Sequence, residues 1–334
     1  MHNHILKIAT IIQNGAVLIG KNVVCDAHVK RPIRIVTHIH WDHLMGLERS
    51  LKECENVLMT PISFDLLEIL RGKYLNQEGK IKTLDYKEEF SFKGEKIKFF
   101  PAGHIFGSAL VLLETEKKIK ILYTGDFKYP PAEPVKTDIL ITEATYGNPL
   151  NVRKFKYEVE KALIDLVKES LINQPVMIFG FHGKLQRMLT IFEREKLSVP
   201  ILLPNKIYYM AKVCEKYNLK LGEYILVESE EGQRITKGKE PFLALFHSKS
   251  YNNIPSYGIK INLTGWEFEK PIKRAGENEW IVALSDHSDF EQLLDFIKEC
   301  KPEFVITDNY RVGDAEALSK EIEKKLKIPS MPLP

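Results

Sequence analysis

Cysteine is scarce in this 334-residue chain: there are four, Cys25, Cys54, Cys214 and Cys300, and no two of them form a CxxC pair. That excludes a disulfide framework and a zinc ribbon, and it points to a reducing compartment. Long apolar runs are missing too. The stretch 5–12 is apolar but too short for the core of a signal sequence, and nothing approaches the ~20 residues of a membrane span, so the expectation is a cytoplasmic protein with no membrane partner. Neither charge sign dominates, with 48 Lys and Arg against 45 Asp and Glu and a formal net charge of +3. A polyanionic partner is therefore permitted through a local patch and not demanded by the total. Repeats and low-complexity segments are absent as well. What remains, 44% apolar and 28% charged residues, is an ordinary globular composition whose length favours about two domains.

Against this background one stretch stands out, Thr37-His38-Ile39-His40-Trp41-Asp42-His43. It follows the β-branched run Ile33-Arg34-Ile35-Val36, which reads as a buried strand, and precedes Leu44-Met45-Gly46-Leu47, which reads as the first turn of a helix. Residues two apart on an extended segment point the same way, so His38 and His40 offer two imidazoles to one metal ion, while Asp42 and His43 face elsewhere and suit a second.

Other strands repeat the pattern of an apolar run ending in a residue of metal-ligand type. Short strands within 5–26 turn at Asn14-Gly15 and Gly20-Lys21 and end in Asp26, which reads either as a carboxylate orienting a ligand imidazole or as a turn-capping Asp. A helix is expected over 61–74. The strand 96–100 delivers His104 between Gly103 and Gly107, a hairpin over 109–124 ends in Gly125-Asp126, and the strand 138–143 ends in Glu143. After Pro149 the character changes to alternating helices and strands. A helix over 153–172 is followed by a strand at 175–180, the turn Gly183-Lys184-Leu185-Gln186-Arg187 opening another helix, a strand at 200–204 and a helix over 206–217. The span 228–240 is charged and aperiodic and reads as a solvated loop. Strand 280–284 then ends in Asp286-His287, a helix begins at Phe290, strand 304–309 carries Asp308, and a helix over 314–327 closes the pattern.

A hydrolytic two-metal site needs imidazoles and carboxylates around divalent ions, a shared carboxylate, and room for a water that the ions acidify. The chain supplies His38, His40 and His104 for one ion, Asp42 and His43 for the other, and Asp126 between them. Glu143 and His287 then make an acid pair, the carboxylate holding an imidazole that protonates a leaving oxygen. Catalytic roles thus fall to Asp26, Asp42, Glu143 and His287.

The pattern HxHxDH at His38–His43, GH at Gly103-His104, TGD at Thr124–Asp126 and TEATYG at Thr142–Gly147 resembles the metallo-β-lactamase fold, and more specifically the β-CASP nucleases, which insert a second domain before a late His. The resemblance implies an α/β protein with a four-layer αββα metallo-β-lactamase fold and an inserted α/β β-CASP domain. It divides the chain into 1–150, the insert 151–277, and the returning part 278–334. It also implies two divalent ions, zinc or alternatively manganese, and a metal-dependent phosphodiesterase acting on nucleic acid. In that family Asp26 matches the first motif Asp, Glu143 motif A and His287 motif B.

Motif C separates the branches. RNA-processing members carry a His there and DNA-repair members of the Artemis type an apolar residue, whereas this chain reads Thr307-Asp308-Asn309. Asp308 is therefore a further candidate ligand for the second ion. Gly183-Lys184-x-Gln186-Arg187 and Gly265-Trp266 are similar to bacterial DNA-ligase-associated exonucleases, which favours a DNA exonuclease with a DNA-ligase or repair partner. Lys184 and Arg187 are the candidate phosphate contacts and Trp266 a candidate base-stacking residue. The alternatives are a β-CASP ribonuclease, including one for mRNA 3′-end processing, and a non-catalytic nucleic-acid-binding scaffold.

Overall fold

The structure, a computed structural model, describes residues 2–72, 79–238, 240–254 and 257–334. After a single helical turn, α1 (His2–Ile5), come six short strands: β1 (Ala9–Ile11), β2 (Val17–Ile19), β3 (Val23–Cys25), β4 (Ile33–Ile35), β5 (Asn56–Met59) and β6 (Ile81–Thr83). They lie in chain order in one sheet, antiparallel up to β3 and parallel from there to β6. Helix α2 (Leu47–Glu53) and helix α3 (Pro61–Arg71) flank β5 in sequence. The Thr60 hydroxyl accepts the Ser63 amide and Pro61 takes the first helical position, so α3 starts where its capping residues dictate. It stops at Arg71, before Gly72; the last two residues of the helix expected over 61–74 lie outside the described residues.

A second sheet opens with β7 (Glu89–Phe92), β8 (Glu95–Pro101), β9 (Ala109–Glu114), β10 (Lys120–Tyr123) and β11 (Ile139–Thr142). The chain then enters an α/β unit made of α4 (Val159–Ser170), β12 (Val176–Gly180), α5 (Lys184–Glu195), β13 (Ile201–Leu203), α6 (Asn205–Lys216), β14 (Ile225–Leu226), α7 (Glu230–Lys237), β15 (Leu243–His247), β16 (Ile259–Leu263), β17 (Ile272–Arg274) and β18 (Glu279–Val282). It leaves through α8 (Phe290–Cys300), β19 (Phe304–Asp308), α9 (Ala315–Glu321) and β20 (Ser330–Leu333). Strands β19 and β20 complete the second sheet in the order β20-β19-β11-β10-β9-β8-β7.

The first compact unit comprises Met1–Val152 and His287–Pro334. Its two sheets face each other across one core, in which Val17, Ile19, Val23, Ile33 and Ile35 meet Ile97, Phe99, Val111, Leu113, Ile121 and Ile306. Along β9 the alternation is explicit. Val111 and Leu113 point into this core, whereas Leu110 and Leu112 point to the opposite face, where Phe290, Leu293, Phe296 and Ile297 of α8 and Leu318 of α9 cover the sheet. The buried Leu47 of α2 and Leu66 and Leu67 of α3 supply the fourth layer beside the first sheet. The first unit is an αββα sandwich.

The second unit, Arg153–Asp286, has its own seven-stranded sheet in the order β14-β13-β15-β12-β16-β18-β17, parallel except at the β17 edge. Strand β12 is buried along its whole length, as a central parallel strand covered on both faces should be.

Three expectations need correction here. The sequence puts the return from the insert at 278, but β18 pairs in parallel with β16 and antiparallel with β17, so 279–282 belong to the insert's sheet. The span 228–240 contains helix α7 rather than only loop. Ser229 caps it by accepting the Gly232 amide, acids occupy its first turn and bases its last, and Gly232 is its one buried residue, so no apolar stripe announces it. The helix expected from 153 begins at Val159. Among the described residues no helix is long and apolar enough to cross a membrane.

Candidate metal centre

Every candidate ligand of the first unit leaves the carboxyl end of a strand or the loop directly after one. His38 follows β4, and a single 3-10 turn, Trp41–His43, folds Asp42 and His43 back towards it. His104 sits on the loop after β8, which is closed by Ala102 N–H to Ser108 O (3.1 Å) and Ser108 N–H to Ile105 O (2.9 Å). Asp126 follows β10 by way of Gly125. That glycine has φ +51°, and a Cβ on it would lie 2.9 Å from Thr37 Oγ1, so the two loops approach this closely only because a side chain is missing.

The imidazoles of His38, His40 and His104 form a triangle with ring centroids 4.8, 4.8 and 4.9 Å apart. His40 Nδ1 and His104 Nε2 lie 3.1 Å apart. Two nitrogens on one tetrahedral zinc-like ion stand at an edge of ~3.3 Å, so the spacing suits a shared ion. His38 Nε2 is buried without a hydrogen-bond partner. Burial first, then the neighbouring imidazoles, pushes His38 well below the ordinary histidine value, which leaves that nitrogen an unprotonated donor.

Asp126 faces two ways. Its Oδ2 lies 3.7 Å from both His38 Nε2 and His104 Nε2, and its Oδ1 lies 3.3 Å from His43 Nε2. One carboxylate thus belongs to three neighbouring groups of metal-ligand type among the described residues, His38–His40–His104–Asp126, Asp42–His43–Asp126 and Asp126–Glu143–His287. Burial would raise the Asp126 carboxyl, but His43 above all, with His287 and His104, holds it well below the usual carboxylate range. Burial and Asp126 likewise push Asp42 up, yet His43 and Arg311 outweigh them and hold it at about 2. The second group also contains an orphaned atom, His43 Nε2. Orphaned imidazole nitrogens facing ionised carboxylates are costly unless a cation joins them, and this is the observation by which the residues fit divalent metal.

Asp26 stands behind this layer. It is fully buried, with φ 61°, and its Oδ2 accepts three hydrogen bonds: from His43 Nδ1 (2.7 Å), Thr37 Oγ1 (2.8 Å) and Tyr123 OH (2.9 Å). Its Oδ1 accepts the Thr37 amide at 2.9 Å. The catalytic role given to Asp26 becomes a positioning role: it fixes the His43 tautomer and aims Nε2 at Asp42 and Asp126. Burial opposes ionisation, but His43, Arg311 and Thr37 together hold Asp26 below the ordinary aspartate value. Its stabilising contribution is therefore present above the unfolded value of ~3.9 and lost as pH falls through the lower folded value. Asp26→Asn keeps a residue tolerant of positive φ but presents one acceptor fewer. The variant is expected to be less stable by about 3 kcal/mol in denaturant titrations at pH 7, with the gap to wild type closing in acid below pH ~4. An equal stability of the two proteins at pH 7 would contradict this role.

Glu143 and His287 meet at the edge of the centre. His287 Nδ1 lies 2.9 Å from Glu143 Oε2 and 3.2 Å from Oε1, and the His287 ring is 4.5 Å from that of His104. Glu143 is almost wholly buried; it also accepts the Phe127 amide (2.6 Å) and the Thr145 hydroxyl. The loop carrying His287 is pinned on its far side. Ser288 donates its amide to Phe127 O (3.1 Å), the Ser288 hydroxyl accepts the Tyr129 amide (2.8 Å), and Asp289 and Gln292 cap α8 reciprocally. His287 also belongs to a group of metal-ligand type with Asp126 and Glu143.

Asp308 is not brought into any of these ligand groups. Its Oδ2 pairs with Arg311 Nη1 at 2.6 Å, and its Oδ1 accepts the amides of Tyr310 and Arg311. Asp308, expected as a ligand of the second ion, is instead paired in this structure with an arginine three residues on. Arg187 is committed in the same way within the second unit, to Glu160 (2.6 Å), to Asp286 (3.1 Å) and to the Ser285 carbonyl (3.2 Å), so it serves as an internal brace rather than a phosphate contact. Lys184 opens α5 after β12, and Trp266, half exposed, follows β16, the strand that pairs with β12. Burial, together with Arg153 and Arg187, draws the Lys184 ammonium below the ordinary lysine value against the pull of Asp286.

Four contributors had no legible signal. Thr37 heads the His38–His43 stretch with nothing to mark its hydroxyl as a partner of Asp26, and Tyr123 reads as a hairpin residue. Arg34, fully buried, donates from Nη2 to the His43 carbonyl (3.1 Å), and burial brings it down to about 10. Arg311 lies in a turn. A cavity of about 830 Å³ lined by Ile5, Ile8, Ile139, Phe304 and Ile328 opens at the amino ends of β11 and β19, away from the ligand-bearing carboxyl ends.

An αββα sandwich with imidazoles and carboxylates gathered at its strand ends defines a metal-dependent hydrolase of the metallo-β-lactamase fold. No protein-family profile matches the chain. It is 31% identical over 299 residues to a probable RNase of Methanocaldococcus jannaschii, which covers 78% of this chain and 68% of that protein. It is 36% identical over 138 residues to an uncharacterized protein in the lig 3′ region of Acidianus ambivalens, 41% of this chain and 99% of that one. A probable DNA ligase of Opitutus terrae is 26% identical over 292 residues; the match takes in 84% of this chain but only 27% of the ligase. A crystal structure of a protein of unknown function from Enterococcus faecalis superposes with a TM-score of 0.61 at 15% identity, over 90% of this chain and 79% of that one, and shows the shared fold. The chain belongs to the β-CASP nucleases, metal-dependent hydrolases of nucleic acid built on the metallo-β-lactamase fold.

Proposed function

We propose that this chain is an exonuclease on DNA, cutting phosphodiesters at a centre for two divalent ions of zinc or manganese type. His38, His40, His104 and Asp126 would hold one ion, and Asp42, His43 and Asp126 the other. When bound, the ions supply Lewis-acid polarisation of a phosphoryl oxygen and acidify water. His287, its Nδ1 proton held by Glu143, delivers the proton of its other nitrogen to the leaving oxygen. Asp26 and Thr37 keep His43 in the tautomer that presents Nε2. Lys184 meets backbone phosphate and Trp266 stacks a base.

The observation that carries the nuclease reading is Asp126, whose two oxygens are faced by separate ligand groups with the Glu143–His287 pair alongside. DNA is favoured because no imidazole stands at position 308, where Asp308 is tied to Arg311, and because one relative is named a probable DNA ligase and another for the lig 3′ region. A repair or ligation partner follows from the same names. RNA as substrate is the second reading, supported by the Methanocaldococcus jannaschii RNase relative.

The test is a cleavage assay on single-stranded DNA and RNA of one sequence, labelled in turn at each end, with the metal-loaded chain. DNA is expected to be lost at least tenfold faster, as a ladder from one end. Faster loss of RNA transfers the chain to the second reading, and internal cuts overturn the exonuclease assignment.

A further inference from the structure

Exposed apolar surface is unevenly spread over the first unit. Among its described residues four large apolar side chains are exposed, Trp41, Leu150, Tyr310 and Val312, and three of them lie on the two turns that meet at Asp42. Trp41 precedes Asp42 in the 3-10 turn Trp41–His43. Tyr310 and Val312 flank Arg311, whose Nη2 lies 3.5 Å from the Asp42 carbonyl and whose Nε lies 3.8 Å from Asp42 Oδ2. Scattered singly, exposed apolar residues need no explanation; gathered round a carboxylate of metal-ligand type, they mark a contact surface. Trp41 is the largest of them and is 71% exposed, so it fills no core. Its backbone is fixed, since the His40 carbonyl accepts the His43 amide and the Trp41 carbonyl accepts the Leu44 amide, both at 3.1 Å. Its ring is steadied by the Arg71 guanidinium at the end of α3, which lies 4.8 Å from the ring centroid and reaches Glu48 of α2 at 3.9 Å.

From this placement we infer that Trp41 stacks a nucleobase of the strand being cut, the base flanking the phosphodiester at the metal centre. This deepens the nuclease reading above and rests on it. Consecutive Cα atoms are ~3.8 Å apart, so the ring is rooted one residue from His40 and one from Asp42, beside any nucleotide whose phosphate reaches the centre. Every base has a π-face, so such a contact tolerates a strand of mixed sequence. A ring already held by Arg71 has little rotamer freedom left to lose on binding, and the Arg71 charge adds attraction for the phosphates of the same strand. Trp41 is thus a substrate-binding residue that places the strand on the ligand-bearing turn.

The test is an abasic scan with the metal-loaded full chain. Fluorescent single-stranded oligonucleotides, DNA or RNA according to which polymer wild type binds more tightly, carry one abasic residue at each position in turn. Binding is read by anisotropy on phosphorothioate-linked strands and cleavage on unmodified ones. Wild type is expected to lose at least about fivefold in affinity when the abasic residue falls at one particular position, and little elsewhere. Trp41→Ala should bind the intact strand at least about fivefold more weakly and no longer distinguish that position, with a wild-type melting curve and ion content. Should Trp41→Ala fold poorly or lose ions, Trp41→Phe and Trp41→Leu decide, since both keep apolar bulk and only the first keeps a π-face. Discrimination retained by Phe and lost by Leu supports the stacking contact. Equal behaviour of Phe and Leu, or a Trp41→Ala protein as sensitive to the abasic position as wild type, overturns it. Strands that are bound with this Trp41-dependent discrimination and never cut overturn the nuclease reading and leave the contact standing. Strands that are cut by wild type with no abasic position discriminated overturn the contact and leave the nuclease reading.

Discussion

Replacing His40 by alanine is expected to lower phosphodiester cleavage at least ~10³-fold and to strip the chain of its tightly held ion. His40 is one of three imidazoles around a single point, and its Nδ1 stands 3.1 Å from His104 Nε2. Residues that merely orient a ligand already cost ~10–100-fold in metal affinity or activity when changed, so loss of a direct ligand should exceed that range. The fold should survive. His40 is only partly buried, whereas the cores on either side of the second sheet are aliphatic and aromatic and do not include it. The measurement pairs the ion content of the purified variant with its rate on a labelled oligonucleotide, and a melting curve guards against misfolding. A folded His40→Ala protein that keeps both its ion and its rate would remove the triangle from the active site.

The residues of this centre were legible because each follows an apolar strand. His38 after β4 of the first sheet, and His104, Asp126 and Glu143 after β8, β10 and β11 of the second, are polar side chains where the buried pattern stops, and the facing of the two sheets brings them together in groups of metal-ligand type. Sequence could not say which of them were already taken. Asp308 ends β19 as Asp126 follows β10, yet a partner three residues later neutralises it, and Arg187 in the insert is consumed by acids 27 residues before and 99 after it. Ion pairing of this kind is a property of the fold, since it depends on which oppositely charged group lies within ~4 Å in space. The same holds for the boundary of the insert. Trp280, Ile281 and Val282 read as a strand in any context, and only their pairing with β16 assigns them to the second unit. Strand β20 escaped for a local reason: Pro332 weakens the strand signal, and the segment is an edge strand, the place where a missing N–H is tolerated.

The second large effect is expected at His287, and its value lies in separating proton donation from mere presence near the ions. His287→Ala should slow cleavage of a DNA oligonucleotide ~10²–10⁴-fold, the usual range for loss of a positioned general acid. The ion held by the triangle should stay, because neither the His38–His40–His104–Asp126 group nor the Asp42–His43–Asp126 group includes His287. A DNA leaving group departs as an alkoxide and needs the proton; p-nitrophenolate does not. On a p-nitrophenyl phosphodiester the same variant should therefore lose less than about tenfold. Glu143→Gln provides the companion test. The Glu143 carboxylate accepts the His287 Nδ1 proton, and a carboxamide weakens that bond and can reverse the ring's tautomer. Its defect should run in the same direction on the two substrates and be smaller than that of His287→Ala. An equal loss on both substrates would place His287 in substrate or ion binding and leave the proton to another group. A loss confined to the poor leaving group ties the Glu143–His287 pair to the bond that breaks.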